Sequence, residues 1–151
     1  MFSDSLKMTG DVLVEVFDAN GNLKDSREIK NLVVTVGKQF IASSMLKTTV
    51  NSPAAMTHMA VGTSTTAAAA GDTTLGAEIS GSRTALGSAS ASGNVVTYIC
   101  TFPAGTGTGA VTEAGIFNAS SSGTMLCRTV FSVVNKASTD ALNITWTVTV
   151  N

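Results

Sequence analysis

The chain has 151 residues, the size of one ordinary domain, and 13% of them are charged, with a formal net charge of −1. The near-zero net charge argues against a nucleic-acid-binding protein, and a mean hydropathy of +0.30 argues against a disordered chain. No apolar run approaches the roughly 20 residues of a transmembrane helix. The start of the chain has neither a basic segment nor an apolar stretch, so we expect no secretory signal.

The charges are unevenly distributed. Residues 1–40 contain 11 of the 19 charged side chains, and the other 111 residues contain eight, while the whole chain has 22 Thr and 17 Ser. General acid–base catalysis draws on His and clustered carboxylates, and the chain has a single His. We therefore expect no enzyme activity, no metal site and no cofactor.

The chain begins with a predicted hairpin. Residues 10–18 alternate in the manner of a strand, and Asn20-Gly21 favours a type I′ turn, in which both central residues have a positive φ. The return strand over residues 22–30 is rich in charge. Charged side chains protect an exposed strand from pairing with other chains, so this strand is predicted to lie at a sheet edge.

One short helix is predicted over residues 36–46, because large apolar side chains recur on roughly one face. These side chains are Val36, Phe40, Ile41 and Met45. A strand is expected next, over residues 56–62.

Residues 63–93 are nearly free of large side chains and form a predicted Ala/Ser/Thr/Gly-rich loop, with residues 83–90 as a possible strand. Loops of this length in a compact domain are usually functional or mobile. We expect that this segment could extend as an arm onto a neighbouring subunit.

Further strands are predicted over residues 94–102, 111–117 and 124–133. In the last strand, large apolar residues alternate with Asn143 and a Thr ladder, Thr145, Thr147 and Thr149, suited to solvent or to an interface. The whole pattern predicts an all-β antiparallel sandwich, jelly-roll-like or Ig-like, with residues 1–151 as a single domain.

Three features have structural interpretations. The glycine-rich run over 105–110 is followed by a strand-like segment, so we interpret it as a turn rather than a dinucleotide-binding loop. His58 is the single His and lies in an apolar strand, which favours a structural role. Cys100 and Cys127 are predicted to be reduced, buried thiols, close together only if their strands pair.

Isolated charges mark the charge-poor part of the chain: Glu78, Arg83, Glu113 and Arg128. Such charges are either paired within the chain or placed at an interface, where they determine its register. Both alternatives stay open from the sequence. Together with Thr145, Thr147 and Thr149, these residues form the candidate interface.

Several segments resemble structural proteins of tailed bacteriophages. They are His58-Met-Ala-Val-Gly-Thr and its continuation to Glu78, residues 101–118, residues 124–131, residues 134–136 and Asn143-Ile-Thr-Trp-Thr-Val-Thr149. The resemblance implies a virion protein that is made in the host cytoplasm, with capsid decoration or cementing as the leading role and a tail or neck fibre or adaptor as the alternative. Its implied partners are further copies of itself, as a dimer or trimer, and the major capsid protein or other virion proteins, with no nucleic acid and no membrane.

A carbohydrate-binding sandwich that recognises the host surface is a second alternative. Sugar sites present aromatic platforms, and the candidates here are Trp146 and Tyr98. Both lie on apolar strand faces that we expect to be core.

Overall fold

The computed structural model describes residues 4–45 and 53–151. The elements in chain order are β1 (Met8–Phe17), β2 (Leu23–Lys30), β3 (Leu32–Val33), α1 (Thr35–Ser44), β4 (His58–Gly62), β5 (Thr84–Ala85), β6 (Ser88–Ser92), β7 (Val95–Phe102), β8 (Gly109–Phe117), β9 (Met125–Lys136) and β10 (Ala141–Val150). Sheet A has the order β2-β1-β10-β7-β6, and sheet B has the order β3-β9-β8-β4-β5.

The two sheets are antiparallel and bury one core between them, so the predicted all-β sandwich is confirmed. Trp146 and Phe102 of sheet A are 0% exposed and belong to the same apolar cluster as Ile116 and Met59 of sheet B. The alternation predicted for the last strand holds: Leu142, Ile144, Trp146 and Val148 are buried. Burying a large apolar side chain stabilises a fold by about 1.5–3 kcal/mol.

The first hairpin forms where it is predicted, but its turn differs. Gly21 has a φ of 83°, whereas Asn20 has no positive φ, so a type I′ turn is wrong. The Asp18 carboxylate accepts the backbone N–H groups of Asn20 and Asn22, each at 2.9 Å. The turn closes one residue earlier than predicted, since the backbone N–H of Gly21 donates to the backbone oxygen of Asp18 at 3.0 Å. Strand β2 lies at the edge of sheet A as expected.

Helix α1 packs on β9 through a close backbone approach. A Cβ atom at Gly37 would lie 2.1 Å from the backbone oxygen of Leu126, so only glycine fits there. Phe40 and Ile41 contact the core, but Met45 is 80% exposed, so its placement on the apolar face was wrong: the helix ends at Ser44, one residue earlier. Residue 46, the last of the predicted helix, lies outside the described residues.

The segment after β4 crosses between the sheets. Strand β5 pairs with β4 in sheet B, and β6 pairs with β7 in sheet A, so the possible strand over 83–90 is two short strands. Strand β3 had no sequence signal, because two residues show no periodicity. Within the described residues, no helix is long and apolar enough to cross a membrane.

Candidate functional site

A buried ion pair lies on the outer face of sheet B. Glu113 on β8 is 0% exposed and Arg128 on the adjacent β9 is 2% exposed. Arg128 Nε donates to Glu113 Oε2 at 2.9 Å, and Arg128 Nη2 lies 2.8 Å from the same oxygen. The alternation of β8 places Glu113 on the face opposite the core, where solvent would normally meet it.

Glu113 is covered because residues 63–78, the covering segment, fold back across sheet B. Its carboxylate accepts backbone N–H groups of that segment, from Ala77 at 2.6 Å, Gly76 at 2.9 Å and Ser64 at 3.3 Å. A carboxylate that loses water needs such replacement donors. The covering segment therefore supplies the solvation that burial removes.

Arg128 holds the other half of the covering segment. Its guanidinium donates to Asp72 Oδ2 at 2.7 Å and to the backbone oxygen of Thr66 at 3.1 Å. The backbone N–H of Ala69 and the Arg128 guanidinium hold the pKa of the Asp72 carboxyl below its ordinary value. One side chain thus joins β9 to two separate points of the segment.

A second apolar cluster lies under the covering segment. Leu75 is 6% exposed and packs with Phe117 and with Val34, Ala60 and Met125. Residues 63–78, the first part of the segment expected as an arm over 63–93, thus pack on the chain's own sheet B. The segment packs on its own sheet because leaving would expose this cluster and strip the buried Glu113 of its donors.

The other two isolated charges, Glu78 and Arg83, also pair within the chain. Arg83 Nε donates to Glu78 Oε1 at 2.9 Å and Nη2 to Oε2 at 3.0 Å. Its guanidinium carbon lies 3.5 Å from the centroid of the Phe117 ring, a cation–π contact. Nη1 donates to the backbone oxygens of Ala119 and Ser122 at 3.0 Å, so Arg83 anchors the β8–β9 turn.

Thr145, Thr147 and Thr149 lie on the outer face of β10, the middle strand of sheet A. Their neighbours in register on β7 are Ile99, Thr97 and Val95 respectively. The structure separates these threonines from the four charged candidates, which lie outside sheet A. The candidate residues therefore form two groups, four paired charges at sheet B and three half-buried threonines on the outer face of sheet A.

A third charged cluster was missed from the sequence. Lys136 is 2% exposed and donates from Nζ to the backbone oxygens of Asp140 and Pro103, at 2.7 and 3.0 Å. Burial lowers its pKa. Asp140 Oδ2 accepts from Lys24 Nζ at 2.6 Å, so the β9–β10 turn is joined to β2. The one sequence signal for this cluster was that Lys136 and Asp140 are isolated charges in a charge-poor region.

The remaining candidates, His58, Cys100 and Cys127, all lie within strands. His58 is half-buried on β4, with Nδ1 2.8 Å from the Thr57 hydroxyl. Cys100 and Cys127 are free and buried, and they lie in different sheets, so their strands do not pair. Burial raises the pKa of each thiol to about 12.

The glycine-rich run joins β7 to β8, with positive φ at Gly105, Gly107 and Gly109, and is a turn as predicted. Residues 4–45 and 53–151 include no group of three His, Cys, Asp or Glu side chains that could hold a metal ion. The charged groups on sheet B pair with one another and with the backbone of the covering segment.

No protein family matches the chain, and no curated protein or solved structure shows significant similarity to it.

Proposed function

We propose that the chain is a structural protein of a tailed-bacteriophage virion that decorates or cements the capsid through subunit contacts. The observation that carries the proposal is the outer face of sheet A. The middle strand of the sheet, β10, and the two strands on one side of it, β7 and β6, present Thr, Ser and a few apolar side chains on this face. None of the side chains that these three strands present there is charged. Interface cores are depleted in charge in the same way.

The rigidity of this face supports the same role. Strand β10 is paired on both sides along its length, and Trp146 and Ile144 on its inner face are 0% exposed. The positions of Thr145 and Thr147 are therefore set by the core. A surface held in this way loses little conformational freedom on binding, and that loss is one of the main costs of association.

Copy number in purified virions tests the proposal. Quantitative mass spectrometry of particles should find the chain in a fixed, high ratio to the major capsid protein. A few copies per particle, with loss of adsorption rather than of capsid stability on deletion, would replace capsid decoration by a tail or neck fibre or adaptor. Complete absence from particles would refute the virion role.

A binding experiment tests the surface itself. Thr145→Lys combined with Thr147→Lys should abolish binding of purified protein to capsids that lack it, since two buried ammonium groups would lose their water at the contact. Thr139→Lys, in the exposed β9–β10 turn, is the control and should bind normally. Equal binding by both variants would exclude this face.

The carbohydrate-binding alternative loses support from the position of its aromatic rings. Trp146 is 0% exposed, and Tyr98 packs against the core. Neither ring offers the open platform on which a sugar stacks.

A further inference from the structure

The four sheet edges of the sandwich are protected to different degrees. Both edges of sheet B are strands of two residues, β3 and β5. One edge of sheet A is β2, which has five charged side chains, Lys24, Asp25, Arg27, Glu28 and Lys30. Shortness and charge are the usual protections of an edge strand against pairing with another chain.

Strand β6 has neither protection. It runs for five residues, Ser88-Ala-Ser-Ala-Ser92, and all five are exposed. Its ladder is to β7, and among the described residues no other backbone hydrogen bond and no side-chain hydrogen bond involves these five residues. The backbone N–H and C=O groups on its free side are therefore available to a further strand.

The order of residues in β6 favours one particular partner. Residues 87–93 read Gly-Ser-Ala-Ser-Ala-Ser-Gly and are identical in both directions. An antiparallel pair of two such strands, centred on Ser90, places Ser88 opposite Ser92 of the partner subunit and alanine opposite alanine. Serine hydroxyls then lie together on one face, where cross-strand hydrogen bonds stabilise the pair, and no like charges oppose each other.

We propose that β6 pairs with β6 of a second copy of this chain about a two-fold axis at Ser90, which joins two copies of sheet A into one ten-stranded sheet. The same surface patch serves both subunits, as a closed two-fold dimer requires. This inference builds on the proposed function, because the pairing places the uncharged parts of two outer faces, those on β6, β7 and β10, side by side toward the capsid.

Sedimentation velocity on the purified full-length chain tests the pairing. The unmodified protein should sediment as a dimer, and Ser90→Lys should convert it to a monomer, because two ammonium groups would meet at the axis. Ser121→Lys, at an exposed serine of the β8–β9 turn, should remain a dimer. A monomeric unmodified protein, or a dimer that persists in Ser90→Lys, would overturn the proposal.

A cross-linking variant provides a second, independent measurement. Residues opposite each other on antiparallel strands have Cβ atoms about 4.5–5.5 Å apart, close to disulfide geometry. Under mild oxidation with copper phenanthroline, Ser90→Cys should form a covalent dimer much faster than Ser121→Cys. Equal rates would contradict the pairing. Trp146 fluorescence checks that each variant is folded, and the virion experiment can fail independently of both results.

Discussion

Arg128 Nε lies 2.9 Å from Glu113 Oε2 on the neighbouring strand, and both side chains are almost completely buried beneath residues 63–78. Two charges that face outward from sheet B thus become the anchor of a segment that covers the sheet. The arrangement explains how a stretch rich in Ala, Thr and Gly, with one large apolar side chain at Leu75, keeps a defined position.

Arg128→Met should destabilise the protein by about 3–5 kcal/mol, because it leaves the Glu113 carboxylate buried without its cation. Chemical denaturation measures the loss, and limited proteolysis should show new cleavage within residues 63–78. The double variant with Glu113→Gln should recover part of the stability, since the uncompensated charge is then removed.

The control for that experiment is Lys30→Met. Lys30 pairs with Asp11 at the surface, with its side chain 81% exposed, and exposed pairs contribute little to stability. Equal losses for Lys30→Met and Arg128→Met would show that burial of the Arg128 pair has no energetic consequence.

Gly37→Ala should destabilise the protein even though alanine is the better helix former by about 1 kcal/mol. The added Cβ would lie 2.1 Å from the backbone oxygen of Leu126, and overpacking of this kind costs about 1–3 kcal/mol. Thermal unfolding measures the balance. Gly71→Ala is the matched control, because nothing lies within 4 Å of its added Cβ; a Tm for Gly37→Ala at or above that of the control would contradict the close approach.

Acid should loosen the covering segment. The folded-state pKa of Asp72 lies below the ordinary value of 3.8, so the folded state favours the carboxylate. This contribution to stability is fully present above the ordinary pKa and is lost as the pH falls through the folded value. Asp72→Asn should therefore show a shallower fall of the unfolding free energy between about pH 5 and pH 2.

Glu28→Gln is the comparison for the acid experiment. Glu28 is exposed on β2 and forms no ion pair with a described residue. The same pH dependence in Asp72→Asn and in the unmodified protein would show that Asp72 is not the group that couples acid to the segment.

The two thiols should resist alkylation in the folded protein. Cys100 and Cys127 are buried, and the pKa of each is raised to about 12, while the thiolate is the reactive form. At pH 8, a maleimide should label neither residue until denaturant is added. Mass spectrometry counts the labels, and rapid labelling of either cysteine without denaturant would show that the core opens locally.

Strand positions could be predicted to within a few residues, because alternation reports which side chains face a core. The last strand shows this best: Leu142, Ile144, Trp146 and Val148 alternate with polar residues in the sequence and are buried in the structure. The type of the first turn could not be predicted from Asn20-Gly21, because contacts to Asp18 decide it. The helix end could not be predicted either, because the apolar periodicity continues to Met45, whose side chain is exposed.

The sequence by itself determined the all-β class, the charged edge at β2 and the two faces of β10, since each depends on local periodicity and composition. Only the tertiary structure decided the partners of the isolated charges. Glu113 and Arg128 are 15 residues apart, and Arg128 also binds Asp72 in a segment without periodicity. Such contacts depend on how the sheets and the covering segment pack. The free edge at β6 likewise became visible only with the strand order, because an edge is defined by the strand that is missing beside it.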